Sequence, residues 1–167
     1  MSRAFVKDAD ENPGDKPPEI PLSEHPNYVT PRGLEQLRKR LTAMRAHRDA
    51  LKAGEEALSQ QRELAAVERE LRWLNARVAS AIEIDLAQQP RDRVAFGAYV
   101  TLESPEGERH YRIVGEDEAD VEHGLVSYVS PLARALLGAK IGDEVVWLRP
   151  AGNLPVEIIA IDYGDDG

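Results

Sequence analysis

Between Arg32 and Gln89 the chain contains no proline, and its only glycines there are Gly33 and Gly54. Such a stretch reads as helix with one interior breaker. Before the breaker, Leu34, Leu37, Leu41, Met44 and Leu51 recur at alternating steps of three and four, with Arg48 in one seam place. After it, Leu64, Val67, Leu71, Leu74, Val78 and Ala81 follow the same rule. This is the a/d spacing of a coiled coil. Two arms of ~23–28 residues, each ~35–40 Å long at ~1.5 Å per residue, separated at Lys52-Ala53-Gly54, predict an antiparallel hairpin. A single continuous helix is the competing geometry, because Gly54 costs a helix only ~1 kcal/mol. Residues 31–53 hold seven basic and two acidic side chains, residues 54–85 four and seven. Facing arms of opposite sign favour the hairpin over self-association of either arm.

The hairpin has a marked start. In Asn27-Tyr28-Val29-Thr30-Pro31, Thr30 is placed to act as N-cap and Pro31 to occupy the first helical position, where it forfeits no hydrogen bond. Ahead of it, residues 1–27 carry five of the eleven prolines, many charges and few large apolar groups. That composition predicts a disordered tail. The helical hairpin is therefore assigned to residues 28–87 and a second domain to 90–167.

Beyond Pro90 the pattern changes to short alternating runs. Ala98–Leu102 and His110–Val114 read as a strand pair around the Ser104-Pro105-Glu106-Gly107 turn. Leu125–Val129 is another strand. Ser130-Pro131 starts a short helix, Leu132–Leu137, ended by Gly138. Glu144–Leu148 and Val156–Tyr163 complete a twisted antiparallel sheet packed on one helix, so the class is α+β.

Composition narrows the functions. There is no cysteine, which excludes disulfides, thiolate zinc sites and a cysteine nucleophile. No apolar run approaches the ~18–20 residues that cross a bilayer, and the first residues lack a secretory signal, so a cytoplasmic protein with no membrane partner is expected. The net charge of −9 is uneven, with seven basic and fifteen acidic side chains in residues 86–167. That half repels phosphate backbones, and basic protein surfaces are its natural partners. The four histidines, His25, His47, His110 and His123, show no metal-ligand spacing, and no cofactor or metal is expected. Trp73, beside the Leu71/Leu74 seam, reads as packing or as a contact surface.

Several segments resemble a known family. Tyr28-Val29-Thr30-Pro31-Arg32-Gly33-Leu34-Glu35-Gln36-Leu37 is similar to the opening of the hairpin in the GreA/GreB transcription factors. Phe96-Gly97-Ala98-Tyr99-Val100 and Tyr111-Arg112-Ile113-Val114-Gly115 look closer to GreB than to GreA. Ser130-Pro131-Leu132-Ala133-Arg134-Ala135-Leu136-Leu137, then Ile141-Gly142-Asp143-Glu144-Val145, resembles the family's C-terminal signature almost without a gap. The resemblance covers about residues 27–164. It implies an FKBP-like C-terminal domain that docks on the rim of the bacterial RNA polymerase secondary channel, with the hairpin inserted there. Nucleic acid would be met only indirectly, through the transcription complex, and the factor itself would be an accessory, expected as a monomer. On this likeness the docking residues are Tyr128, Val129, Ser130, Pro131 and Arg134.

The chain departs from the family at the hairpin tip. Family members carry an acidic loop of the form Gly-Asp-x-x-Glu-Asn-x-x-Tyr, whose carboxylates help hold magnesium at the polymerase's active site during transcript cleavage. Here the tip reads His47-Arg48-Asp49-Ala50-Leu51-Lys52-Ala53-Gly54-Glu55-Glu56-Ala57. Asp49, Glu55 and Glu56 are the carboxylates present, outside the motif's spacing, and solvated helix charge is the plainer account of them. The hairpin is also about one heptad shorter per arm, which withdraws the tip by ~10 Å, whereas catalytic positioning tolerates well under ~1 Å. Elongation control with doubtful cleavage is the function implied, and a shortened hairpin resembles non-cleaving Rnk-like channel occupants. Val129 stands where the family often has an acid before Ser-Pro. Two other classes stay open: a prolyl isomerase, suggested only by the fold, and a coiled-coil adaptor without a polymerase link.

Overall fold

The computed structural model describes residues 18–54 and 58–164. The chain separates into two units: residues 37–80 with the segment before Pro26, and residues 26–36 with those from Ala81 onward.

In the first unit, helices α1 (Pro31–Ala53) and α2 (Leu58–Ser80) supply the two arms, α1 entering it at Leu37. The periodic apolar positions face inward: Leu37, Leu41, Val67, Leu71 and Leu74 are buried, while Met44, Leu51 and Leu64 are half-buried nearer the break. Arg40 reaches Glu70 at 3.1 Å and His47 reaches Glu63 at 3.0 Å. The sums of those residue numbers agree, as antiparallel arms require. Trp73 is half-buried between the guanidinium groups of Arg40 and Arg77, at 5.7 and 5.9 Å from its ring centre.

Residues 18–25 do not behave as the tail predicted from their composition. Arg72 grips the Glu19 carboxylate with Nε and Nη2, both at 2.7 Å, and Arg69 donates to the Pro18 carbonyl at 3.2 Å. A bidentate pair of that geometry fixes a segment that has little apolar surface to bury. Residues 1–17 lie outside the described residues.

The second unit begins with strand β1 (Tyr28–Val29), which pairs in parallel with β2 (Ile82–Glu83). The predicted helical region is thus cut short. Helix α2 stops at Ser80, because Ile82 and Ile84 donate their N–H groups to Asn27 and Val29 across the chain, at 2.8 and 3.0 Å. Thr30 then starts α1 as expected, its hydroxyl accepting from Gly33 N–H at 2.9 Å. The same hydroxyl donates to the buried Glu118 carboxylate at 2.6 Å, which sets a negative charge at the helix N-terminus. Gly115 allows β1 to pack: a Cβ there would sit 2.3 Å from the Tyr28 carbonyl oxygen.

Five further strands form one sheet in the order β5-β4-β3-β7-β6: β3 (Tyr99–Ser104), β4 (Gly107–Val114), β5 (Leu125–Ser127), β6 (Glu144–Trp147) and β7 (Leu154–Asp162). The expected antiparallel arrangement holds for β3–β4, β3–β7 and β6–β7, but β4 and β5 run parallel. The chain between them crosses back through two short 3-10 turns instead of a tight hairpin. The sheet is mixed, and the α+β class stands. Alternate residues point inward, Val100 and Leu102 from β3 and Leu154, Val156 and Ile158 from β7. Helix α3 (Pro131–Leu136) closes this core with Leu132, Ala133 and Leu136. The junction of the two assigned domains is drawn into this unit: Leu86 is buried and Gln89 Nε2 donates to the Phe96 carbonyl at 2.8 Å.

Candidate functional site

The predicted docking residues gather on one rim of the sheet. Ser130 caps α3: its hydroxyl accepts from Ala133 N–H at 3.3 Å, and Pro131 takes the first helical position. Arg134 N–H donates to the Ser130 carbonyl at 2.9 Å, so this short helix is held at its start by one residue. The cap fixes the direction in which Val129, Pro131 and Arg134 leave the backbone. Pro131 and Arg134 are exposed and Val129 half-buried. The Arg134 guanidinium makes no ion pair or side-chain hydrogen bond among the described residues.

Tyr128 is placed differently from its neighbours. Its hydroxyl donates to the Pro26 carbonyl at 2.6 Å, and its ring stands edge-on to Tyr28 and Phe96 at 5.3 and 5.8 Å. Tyr28 and Phe96 lie 6.0 Å apart, which closes a triangle of three rings. Tyr128 therefore joins the loop before α3 to the strand that precedes α1, and its polar atom already has a partner inside the domain.

Two residues of the same rim escaped the sequence reading. Val129, Pro131, Arg134 and Ala135 share a groove of about 390 Å³ with Val146 and Leu148, which are 52% and 60% exposed. Val145 and Trp147 pack on the core, so the intervening side chains turn the other way. The signal was legible in Val145-Val146-Trp147-Leu148. A strand apolar on both faces, at the edge of a sheet, presents one of those faces to a partner.

The hairpin tip offers no comparable construction. Asp49 is exposed and paired with its neighbour Arg48 at 3.1 Å, while Glu55 and Glu56 lie outside the described residues. Among the described residues no three His, Cys, Asp or Glu side chains come together as a metal site. Of the acids along the second arm, Glu63 and Glu70 are engaged with α1.

Electrostatics elsewhere in the sheet unit are structural. Arg149 forks onto Glu106 and lies over Trp147 at 5.4 Å; that contact holds the Glu106 carboxyl below its ordinary range. Buried Tyr163 donates its hydroxyl to the Arg93 carbonyl at 2.9 Å, and burial pushes its phenol above the ordinary value.

The C-terminal domain is thus a small mixed sheet with one capped helix and an apolar groove beside it. Residues 89–163 match the family described as transcription elongation factor, GreA/GreB, C-terminal. That match takes in somewhat less than half of the chain, and over it the chain resembles the GreA/GreB family. It is 46% identical over 92 residues to transcription elongation factor GreA of Pelobacter propionicus, which covers 54% of this chain and 58% of that protein. Against GreA of Sinorhizobium medicae it is 43% identical over 89 residues, 52% of this chain and 56% of the relative. The chain thus spans little more than half the length of these curated relatives. Among solved structures, GreA factor homolog 1 of Thermus thermophilus covers 83% of this chain and 99% of its own at 21% identity, with a TM-score of 0.40. A GreA/GreB elongation factor from Nitrosomonas europaea gives 23% identity, 82% and 99% coverage and the same TM-score.

Proposed function

We propose that this chain is a regulator of transcription elongation that docks on bacterial RNA polymerase through the rim around Ser130 and Arg134. Its hairpin would enter the secondary channel without stimulating transcript cleavage. The observation that carries the docking half is the groove itself. A fixed helix cap presents an uncommitted guanidinium beside exposed Val146 and Leu148, in a domain of the family whose curated members are named elongation factors. Such a surface suits a partner element that is apolar with an acidic edge. The chain would act in the cytoplasm as a monomeric accessory, its FKBP-like domain serving for attachment.

The non-cleaving half rests on the tip. Asp49 is engaged with Arg48, and the acids present fall outside the family motif. Two-metal hydrolysis needs carboxylate oxygens held at fixed positions around magnesium, and a shortened hairpin would set them back. The mode of action is then occupancy, in competition with true cleavage factors, as for an Rnk-like protein. A prolyl isomerase is suggested by the fold alone, which is no evidence of activity.

The test is a stalled, backtracked elongation complex. Added alone, the protein should release little or no RNA. Added with GreB, it should inhibit cleavage in proportion to its dose, with excess GreB restoring the rate. Strong cleavage by this protein, abolished by Glu55→Ala/Glu56→Ala, would defeat the occupancy reading. Arg134→Glu, at an exposed side chain with no partner among the described residues, should abolish capture by core polymerase while leaving the fold intact; undiminished capture would defeat the docking reading and leave an adaptor role.

A further inference from the structure

Residues 18–25 lie outside the segment that matches the family, yet two adjacent residues seat them on α2 as a strap. Glu19 Oε1 accepts from Arg72 Nε and Oε2 from Arg72 Nη2, both at 2.7 Å, and the Pro18 carbonyl accepts from Arg69 Nη1 at 3.2 Å. Arg69 and Arg72 stand three positions apart, so one face of the helix presents both guanidinium groups to the strap. Trp73, four positions after Arg69, adds a half-buried aromatic ring to that face.

Two observations make the strap releasable. The Glu19 and Arg72 side chains are 61% and 59% exposed, so water and salt reach the pair on its open side. Arg69 is incompletely satisfied by the strap: its Nε is buried with no hydrogen-bond partner among the described residues, a cost that a better-fitting ligand would relieve.

The chemistry of the seat also defines its occupant. A planar fork that takes both oxygens of one carboxylate, beside a guanidinium that takes a backbone carbonyl, reads a peptide segment with an acidic side chain. A phosphate backbone is matched less well. Between Leu58 and Ser80, Arg62, Arg69, Arg72 and Arg77 are interspersed with Glu63, Glu68 and Glu70. A strand with a negative charge on every unit would meet repulsion along such an arm.

We propose that residues 18–25 are a releasable cover on an arginine–tryptophan face of α2, and that this face binds an acidic peptide segment of a partner protein in the strap's place. Glu19 is then a built-in competitor of the partner's carboxylate. Because it is tethered, it competes at high effective concentration, and the partner gains the face only by displacing it. This holds whether or not the chain docks on polymerase.

The probe is a synthetic peptide of residues 18–25, blocked at both ends, added to the full chain at low salt. A Glu19→Ala chain should bind it about tenfold more tightly than the parent does, because the tethered competitor is gone. The same peptide carrying Glu19→Gln should bind that chain about tenfold more weakly, and Glu19→Ala/Arg72→Ala should abolish binding. Circular dichroism would show that these exposed-site variants keep their helices. Equal affinity of the peptide for the parent and Glu19→Ala chains would overturn the cover. Absence of peptide binding by the Glu19→Ala chain would overturn the face as a peptide site. So would a short oligothymidylate that binds that chain as tightly as the acidic peptide, since the face would then be a general polyanion surface.

Discussion

Along the hairpin, burial falls away toward the break: Leu74 is fully enclosed, Leu64 is half-buried and Leu58 is 62% exposed. In the sheet domain the gradient is absent from the core, where Ala98, Ile113, Leu136 and Ile158 are all fully buried, and exposed apolar side chains occur at several places on the surface, among them Val121, Ile141, Val146 and Leu148. The difference separates two kinds of surface. A two-helix arm has a single seam, so its end far from other packing is held by few contacts and by exposed ion pairs such as His47–Glu63. A sheet-and-helix layer is instead packed from several directions, so Val146 and Leu148 stand exposed beside fully buried neighbours such as Leu136 and Ile158.

The chain carries one tryptophan in each region, Trp73 on α2 and Trp147 on β6, so Trp147→Phe and Trp73→Phe backgrounds report on the regions separately. The largest contrast is expected between core truncations. Ile158→Ala should destabilise the sheet domain by about 2–5 kcal/mol, whereas Leu64→Ala should cost the hairpin under about 1.5 kcal/mol. Denaturant titrations followed by each tryptophan would measure both. Equal losses would mean that the tip half of the hairpin is as tightly packed as the sheet.

Gly115→Ala comes next. Its added methyl meets the Tyr28 carbonyl, and overpacking against backbone costs about 1–3 kcal/mol. The loss should register at Trp147, since Tyr28 and Gly115 belong to the same unit. A variant as stable as the parent would show that β1 yields easily, and that the root of α1 is less firmly set than the sheet.

The smallest effect is expected from alkali. Burial raises the Tyr163 phenol above its ordinary 10.0, so the unfolded chain gives up this proton first. The stability Tyr163 contributes is complete below the unfolded value and declines as pH rises through the folded one. Trp147-monitored stability should therefore start to fall above pH 10.0 and the fall should lessen in Tyr163→Phe. A loss of the same size at Trp73 would place its origin outside the sheet domain.

Much of this architecture is written in local sequence. Alternating steps of three and four fix the seam residues Leu37, Leu41, Val67, Leu71 and Leu74, and Thr30-Pro31 and Ser130-Pro131 each start a helix, because these features act within a turn or two of chain. The Ser104–Gly107 turn and the inward residues of β3 and β7 follow from a period of two in the same way. The remaining features depend on partners distant in sequence. Ala81-Ile82-Glu83-Ile84 continues a helical pattern until Asn27 and Val29 offer carbonyls that turn it into a strand. Glu19 reads as one more charge in a proline-rich tail until Arg72 is brought opposite it. Val146 and Leu148 alternate with Val145 and Trp147, and only the packed sheet decides which pair meets the core. Periodicity and capping energies are short-ranged and are carried by the sequence itself, whereas hydrogen-bond pairing, ion-pair choice and exposure are decided by which surfaces the folded chain brings together.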